Sequence, residues 1–345
     1  MSMGWPPLRR AGQALLAVWA LASLVFLLSR WGPPPDETLG LTDTDRSVGA
    51  PATLNTRRLA REAALLRLGL DGPLFYFSRS GPGPDPMRWH WNGRRNQYHR
   101  WLDAVLRGDL GTSFRDGRPV AARLETALAC TVPLTGTAAA LAIALALALA
   151  AGLARNPWWR QPIMALLAAL QALPLFVLAT GSLLLLANPD ALNWFPTYDQ
   201  TDSGNVFPPV NLYLVLPLAC LVLSALPELT LQLEGSLSHE LRADYATTAR
   251  AKGLSAKQII RGHALRNALL PVLPLVADLL PALVAGAVVV EVVFSLPGMG
   301  RLLAEAAATR DYPMLVGGVL LVGPARLLAL LLADAGAHWL DPRVG

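Results

Sequence analysis

Residues 237–271 read LSHELRADYATTARAKGLSAKQIIRGHALRNALLP, a polar island between two apolar runs, each too long for an ordinary core helix. Its basic residues are Arg242, Arg250, Lys252, Lys257, Arg261 and Arg266, against Glu240 and Asp244 as its acids. Short loops on the cytoplasmic side of a membrane retain Lys and Arg. The island therefore predicts an inside loop of an integral membrane protein, and its local chemistry predicts a folded one.

Leu237, Leu241, Tyr245 and Ala249 recur every four residues and so share one helical face. Gly253 falls where a helix needs a left-handed residue just past its end, a conformation glycine reaches without a Cβ clash. Ser255 is a natural N-cap, with Gln258 placed to complete a capping box and Leu254 and Ile259 placed to form a hydrophobic staple. Asn267 and Pro271 mark the entry to the next apolar run. The expectation is a helix–Gly–helix elbow.

Working outward, composition leads to the same class. Of 345 residues, 53% are hydrophobic and 15% charged, and the mean hydropathy is +0.40. Soluble domains carry about 25% charged residues. The apolar residues gather near 11–30, 127–153, 162–187, 210–230, 269–293 and 313–337. Each run is near or above the ~20 residues a helix needs to cross ~30 Å of hydrocarbon. An all-α integral membrane protein of about six transmembrane helices is expected, with both termini on one side. Pro133, Pro174, Pro217, Pro281 and Pro324 lie inside these runs, and bilayer helices tolerate proline when neighbours satisfy the freed carbonyls. The Ala/Leu-rich run 138–151 offers small residues for close helix contact.

Arg9, Arg10, Arg155, Arg160, the island and Arg343 put the N- and C-termini in the cytoplasm. The loop near 188–209 has no Lys or Arg, and that near 294–312 has Arg301 and Arg310. The arginine-rich segment 31–126 runs against this bias, but long translocated regions escape the rule. The first span reads as a retained anchor rather than a signal peptide: its apolar core is too long, and Ser29-Arg30-Trp31 is no small-residue cleavage site. The net charge of +5 follows from the same bias, and no nucleic-acid motif accompanies it. Cys130 and Cys220 fall inside spans without metal-ligand spacing and read as small apolar fillers.

Asp244-Tyr245, Ala249-Arg250-Ala251-Lys252-Gly253-Leu254 and His263-Ala264-Leu265-Arg266-Asn267-Ala268-Leu269-Leu270-Pro271 resemble the cytoplasmic loop of ABC importer permeases. The likeness is to the first permease subunit of the dipeptide/oligopeptide/nickel branch. The broader family's loop begins Glu-Ala-Ala; here Thr247, Thr248 and Ala249 stand there, a departure that itself resembles the peptide branch. GAVVVEVVFSLPGMG at 286–300, Arg310-Asp311-Tyr312-Pro313 and Leu340-Asp341-Pro342-Arg343 extend the likeness downstream. LGLDGP at 68–73 and RGDLGTSF at 107–114 extend it upstream, so that it covers most of the chain apart from 78–100.

The resemblance implies a type I importer permease fold: anchor 1–31, extracytoplasmic segment 32–122, transmembrane permease domain 123–337 with coupling loop 237–268, and cytoplasmic tail 338–345. It implies a bacterial inner-membrane location and a heterodimer with a second homologous permease. It also implies two cytoplasmic ATPase subunits that bind ATP and Mg, an extracytoplasmic binding protein that delivers peptide, and no cofactor on this chain. The expected ATPase-coupling residues are Asp244, Tyr245, Ala249, Arg250, Ala251, Lys252, Gly253, Leu254, Ser255, His263, Arg266 and Asn267. For His263 a structural or docking role outweighs proton transfer.

Outside the membrane, 32–35 is a rigid exit, 53–69 reads as helix, and 78–88, with Gly81-Pro82-Gly83-Pro84, reads as loop. Trp89, Trp91, Tyr98 and Trp101, interleaved with Arg94, Arg95 and Arg100, predict an interfacial helix with its rings at headgroup level. Two uses stand open: a contact surface for the binding protein, or packing on the membrane surface.

No Gly-x4-Gly-Lys-Ser/Thr phosphate loop, His-Glu-x-x-His or Gly-x-Ser-x-Gly motif occurs, so the chain is expected to be no enzyme and its energy to come from another subunit. Ionisable residues within spans are costly and face a cavity or a partner helix. Asp278, Glu291 and Arg326 are the translocation-pathway candidates, and Asp334 is a further intramembrane acid. For Glu291 and Asp334 a structural role, holding helix ends or pairing with an arginine, weighs more. Arg326 either faces the pathway and meets a carboxylate, a substrate's or that of Asp278, or snorkels along the subunit interface.

Other readings remain. The cargo could be a non-peptide solute such as a nickel chelate. An ion-gradient transporter would use Asp278, Arg326 and Asp334 as a relay, but no matching pair of interrupted helices recurs in two halves. Adhesion to anionic lipid explains the island's charge but neither its capping box nor its glycine.

Overall fold

A computed structural model describes residues 7–30, 71–79, 89–196 and 212–325, with a few further positions between 59 and 66. Its elements are α1 (Pro7–Ser29), β1 (Phe77–Arg79), β2 (Trp89–Trp91), α2 (Gln97–Leu106), α3 (Val120–Leu153), α4 (Pro157–Gln171) and α5 (Leu175–Ser182). Then come α6 (Leu212–Glu240), α7 (Asp244–Ala251), α8 (Ala256–Ile259), α9 (Leu265–Leu269), α10 (Leu273–Val293) and α11 (Met299–Ala308), and α12 (Tyr312–Ala325).

Among the described residues, Val120–Leu153, Leu212–Glu240 and the continuous Leu265–Val293 are long and apolar enough to cross a bilayer. The span expected at 162–187 is broken: Trp158–Gln171 and Leu175–Ala187 meet at 96°. Pro174 stands at the break, extended at φ −61, ψ 140. It offers no N–H and disfavours helical geometry in the residue before it, and here the helix ends. Pro133, Pro217 and Pro281, by contrast, lie within continuous helices as expected. Leu15–Leu28 and Tyr312–Ala325 are apolar but shorter. The remainder of the span expected at 313–337 lies outside the described residues, as does most of the helix expected at 53–69.

The chain divides into two compact units, one including Thr126–Leu302 and the other Arg10–Glu125 with Leu303–Pro324. In the first, Ala138, Ala142, Ala146 and Ala150 form a buried row along α3. Small side chains at this spacing let helices approach closely, and in lipid that close packing replaces water release as the source of stability. Leu221, Leu233 and Leu237 from α6 join the same core. The free thiols Cys130 and Cys220 are buried in it. Leu184, Leu185 and Val292 stay exposed, as befits residues whose solvent is lipid.

In the second unit the interfacial helix expected from Trp89 to Trp101 is divided. Trp89 and Trp91 are on β2, paired antiparallel with β1 in the register Phe77↔Trp91, Ser78↔His90, Arg79↔Trp89. Residues 78 and 79, expected in a loop, therefore belong to a strand. Gly93 turns the chain at φ +59, and Asn96 accepts from the His99 N–H at 2.7 Å, so the helix starts only at Gln97. Cross-strand aromatic contact supplies the reason: the Trp91 ring meets its register partner Phe77 edge-on with centroids 4.7 Å apart. Phe26 stacks on Trp101 at 4.7 Å, and Ser23 bonds the buried Tyr98 hydroxyl at 2.9 Å.

Candidate functional site: the Gly253 elbow and the helices behind it

Helix α6 runs to Glu240, further than the apolar run suggests, and the chain turns through Leu241–Ala243 before α7 begins at Asp244. Leu237, Leu241, Tyr245 and Ala249 therefore do not share one continuous helix. Leu237 is in the main core, and Tyr245 and Ala249 are in a small cluster with Ala246 and Ile259. Leu241 packs against both clusters, which makes it the join between the span and the elbow.

Gly253 has φ +83. Its N–H donates to the Arg250 carbonyl at 2.9 Å, and the Leu254 N–H donates to that of Ala249 at 3.2 Å. This pair of bonds is the Schellman stop, which satisfies carbonyls that a helix end leaves open. The capping box also forms: the Gln258 N–H donates to Ser255 Oγ at 3.4 Å and the Ser255 N–H donates to Gln258 Oε1 at 2.9 Å. Ile259 is wholly buried against Ala246 and Ala249, so the two arms of the elbow pack on each other, while Leu254, the expected staple partner, is 37% exposed.

The second arm is no separate short helix. From Ile259 it continues through a wide turn at Ile260–Ala264, then α9, then a tight turn at Leu270–Val272 into α10. Asn267 and Pro271 thus fall in the first turns of the apolar span Leu265–Val293, at its entry as expected, and within an unbroken helical path. His263 lies on the wide turn.

One side of the elbow is tied down. Tyr245 donates its hydroxyl to Glu240 Oε2 at 2.7 Å, and Asn267 Nδ2 donates to the same oxygen at 3.2 Å. Burial, then the bond to Glu240, pushes the Tyr245 phenol up to about 12, so it remains a donor at neutral pH. Arg250 reaches back to the Leu241 carbonyl. The other side is open: Ala251, Lys252, Gly253, Leu254 and Ser255 through Gln258 are exposed without interruption, as are Asp244, Arg250, Arg261 and Arg266. The elbow is an exposed, preformed, cationic knuckle on a fixed base.

Two further anchors escaped sequence reasoning. Glu234, 1% exposed, accepts from Arg160 Nε at 2.6 Å and Nη2 at 3.1 Å, and from Ser238 Oγ at 2.7 Å. Arg160, expected as a loop charge, instead fastens α4 to the last turns of α6. Glu240, which gathers Tyr245 and Asn267, is the second anchor. An acid beside a phenol and an amide in one loop was its only signal.

Glu291 is fully buried. Its Oε1 accepts from Thr131 Oγ1 at 2.5 Å and its Oε2 from the Gly300 and Arg301 N–H groups at 2.7 and 3.2 Å. Thr131 in turn accepts from the Met299 N–H at 2.8 Å. Together they cap the first turn of α11, whose N–H groups have no partner within the helix. The turn leaves no room beside the carboxyl: a Cβ on Gly298 would lie 2.1 Å from the Glu291 carboxyl carbon. The GAVVVEVVFSLPGMG segment is thus a packed fastening.

Asp278 is exposed on α10, and Glu228, which sequence reasoning passed over, is exposed on α6. Neither makes a hydrogen bond or ion pair among the described residues. Arg326 and Asp334 lie outside them. In the second unit the Arg310–Pro313 and Arg107–Phe114 segments meet: Asp311 accepts from Ser113 Oγ and, at 3.1 Å, from the Phe114 N–H.

Residues 142–345 match the family described as binding-protein-dependent transport system inner membrane component. Among curated relatives, the oligopeptide transport system permease protein AppB of Bacillus subtilis is 30% identical over 252 residues, covering 72% of this chain and 79% of its own length. The dipeptide transport system permease protein DppB of Escherichia coli K12 is 31% identical over 309 residues, 82% of this chain and 85% of that one. A putative peptide transport system permease of Brucella suis biovar 1 is 29% identical over 339 residues, 98% of each chain.

Proposed function

Because this chain belongs to the binding-protein-dependent transport system inner membrane components, we propose that its Gly253 elbow docks into a cytoplasmic ATPase subunit and that its cargo is peptide. The chain is a multi-pass membrane permease, and ATP hydrolysis falls to separate subunits. The observation that carries the docking role is the contrast between the two sides of the elbow: a base fixed through Glu240 and Ile259, and an uninterrupted exposed face from Ala251 to Gln258. The names of the relatives in Bacillus subtilis and Escherichia coli support peptide as cargo.

In this reading the chain forms half of the pathway beside a second homologous permease. An extracytoplasmic binding protein delivers the cargo, and both termini lie in the cytoplasm with the elbow. The coupling residues are those of the loop, Asp244, Tyr245, Ala249–Ser255, His263, Arg266 and Asn267. ATP and Mg stay on the ATPase pair. Its closure moves the elbow as a rigid body; α6 ends at one side of the elbow, and the other arm runs on into α10, so both spans tilt together. Asp278 and Glu228 then face the pathway or the second permease, because a carboxyl exposed on a span needs water or a protein partner.

Gly253→Val tests the docking role, since a β-branched residue is strained at φ > 0. In proteoliposomes holding both permeases, the ATPases and the binding protein, its ATPase rate should no longer rise when peptide-loaded binding protein is added. Membrane yield should stay at the wild-type level. A normal rise in the variant rejects the docking role. Rescue of a deletion strain by a nickel chelate but by no peptide would reject the cargo and leave the docking role intact.

A further inference from the structure

Within the second unit, a cavity of about 270 Å³ opens between the end of α1, helix α2, the loop 109–114 and the start of α12. Arg30 is in its wall. The guanidinium carbon lies 4.9 Å from the Phe26 ring centroid and 5.9 Å from that of Phe114. Nη1 donates to Gln97 Oε1 at 2.5 Å, and Nε is buried with no acceptor. Gln97 is itself held, its Nε2 donating to the Gly72 carbonyl at 2.7 Å. The guanidinium is therefore aimed, and among the described residues it has no carboxylate partner. Removing a cation from water without pairing it is unfavourable, so the arrangement calls for an anion that the described residues do not supply.

The rest of the wall restricts which anion. Trp101, Tyr312 and Pro313 line the cavity, so the ligand has an apolar part beside its charge. The acid in the wall, Asp109, accepts from its own loop's Gly111 N–H at 2.8 Å. We propose that this cavity binds a polypeptide carboxylate next to an apolar side chain, with Arg30 as counter-ion and the aromatic wall holding the side chain. The carboxylate comes either from the C-terminus of a free peptide or from an acidic side chain of a docked protein. The choice of polypeptide rests on the peptide-import reading; the charge and shape of the site do not.

The test uses the full chain alone in nanodiscs, without ATPases, so that its failure leaves the docking role untouched. Three probes are titrated calorimetrically: Ala-Phe, its C-terminal amide, and acetyl-Phe-Glu-amide, which offers only a side-chain carboxylate. One or both carboxylate probes should bind roughly tenfold to a hundredfold tighter than the Ala-Phe amide, the range of a charge-assisted pair. Whichever binds tighter names the source. Arg30→Gln should erase the preference, and Arg30→Lys should retain part of it. Equal binding of all three probes, no binding of any, or a preference that survives Arg30→Gln overturns the proposal. The wild-type comparison of acid with amide decides the matter even if a variant fails to fold.

Discussion

A Cβ built on Gly253 would meet nothing within 4 Å, whereas one built on Gly298 would lie 2.1 Å from the Glu291 carboxyl carbon. Gly253 has φ +83; Gly298 is not among the residues of positive φ. Glycine is thus required at the elbow by the backbone angle and at the turn by the space. The difference separates two jobs. A position demanded by backbone angle alone, with empty space around it, shapes a surface. A position demanded by neighbours belongs to the protein's own interior. In the docking proposal the elbow is the surface that the ATPase meets, and the turn is interior.

Gly298→Ala should have the largest effect. The methyl group must displace a carboxyl held by bonds to Thr131, Gly300 and Arg301. Overpacking costs about 1–3 kcal/mol, and stranding the buried donors adds about 1–3 kcal/mol more. Thermal unfolding in detergent should show a stability loss of about 3 kcal/mol or more. Glu291→Ala should also destabilise, but Gly298→Ala made on top of it should cost much less than it does alone, because the clash and the cap are one interaction. Additive losses would mean that the two residues are not coupled.

Gly253→Ala should have the smaller effect on folding and the more selective effect on function. An L-residue in the left-handed region costs roughly 1–2 kcal/mol, and no neighbour adds a clash. Unfolding midpoints should fall slightly, while stimulation of the partner ATPase by loaded binding protein falls severalfold. Should the Gly253 and Gly298 alanine variants lose stability equally, the distinction between shaped surface and packed interior fails.

What could be read from sequence follows the same division. Gly253, Ser255 and Gln258 were legible because their rules act over a few residues: a Schellman stop and a capping box need only neighbours. The staple between Leu254 and Ile259 obeys an equally local rule, but that Ile259 packs on Ala246 and Ala249 of the other arm is declared by no local rule. The alanine row of α3 was readable only as a run rich in small residues; which alanines form the buried face came from the structure. Arg160 with Glu234 and Thr131 with Glu291 are separated by 74 and 160 residues, and no local pattern declares such a pair. Trp89 and Trp91 fit a strand as well as a helix, because short aromatic runs carry no period long enough to decide. Pro174 was visible, but whether a proline is absorbed in a span or ends it depends on what packs around it.

The smallest expected effect, Ser255→Ala, is also the most specific to the elbow. Ser255 Oγ accepts from the Gln258 N–H, and Gln258 answers through its bond from the Ser255 N–H. Removing an N-cap hydroxyl costs about 1 kcal/mol. That cost falls on α8, a four-residue helix that leads into the path toward α10. The base of the elbow, Tyr245 and Asn267 on Glu240, is untouched by the change. Amide exchange should therefore quicken at Ala256–Ile259 and remain unchanged along α6, with a modest fall in stimulated ATPase rate. If exchange quickened equally in α6, the two arms would be melting as one unit. The elbow would then be a flexible linker, unable to carry displacement from an ATPase into the membrane.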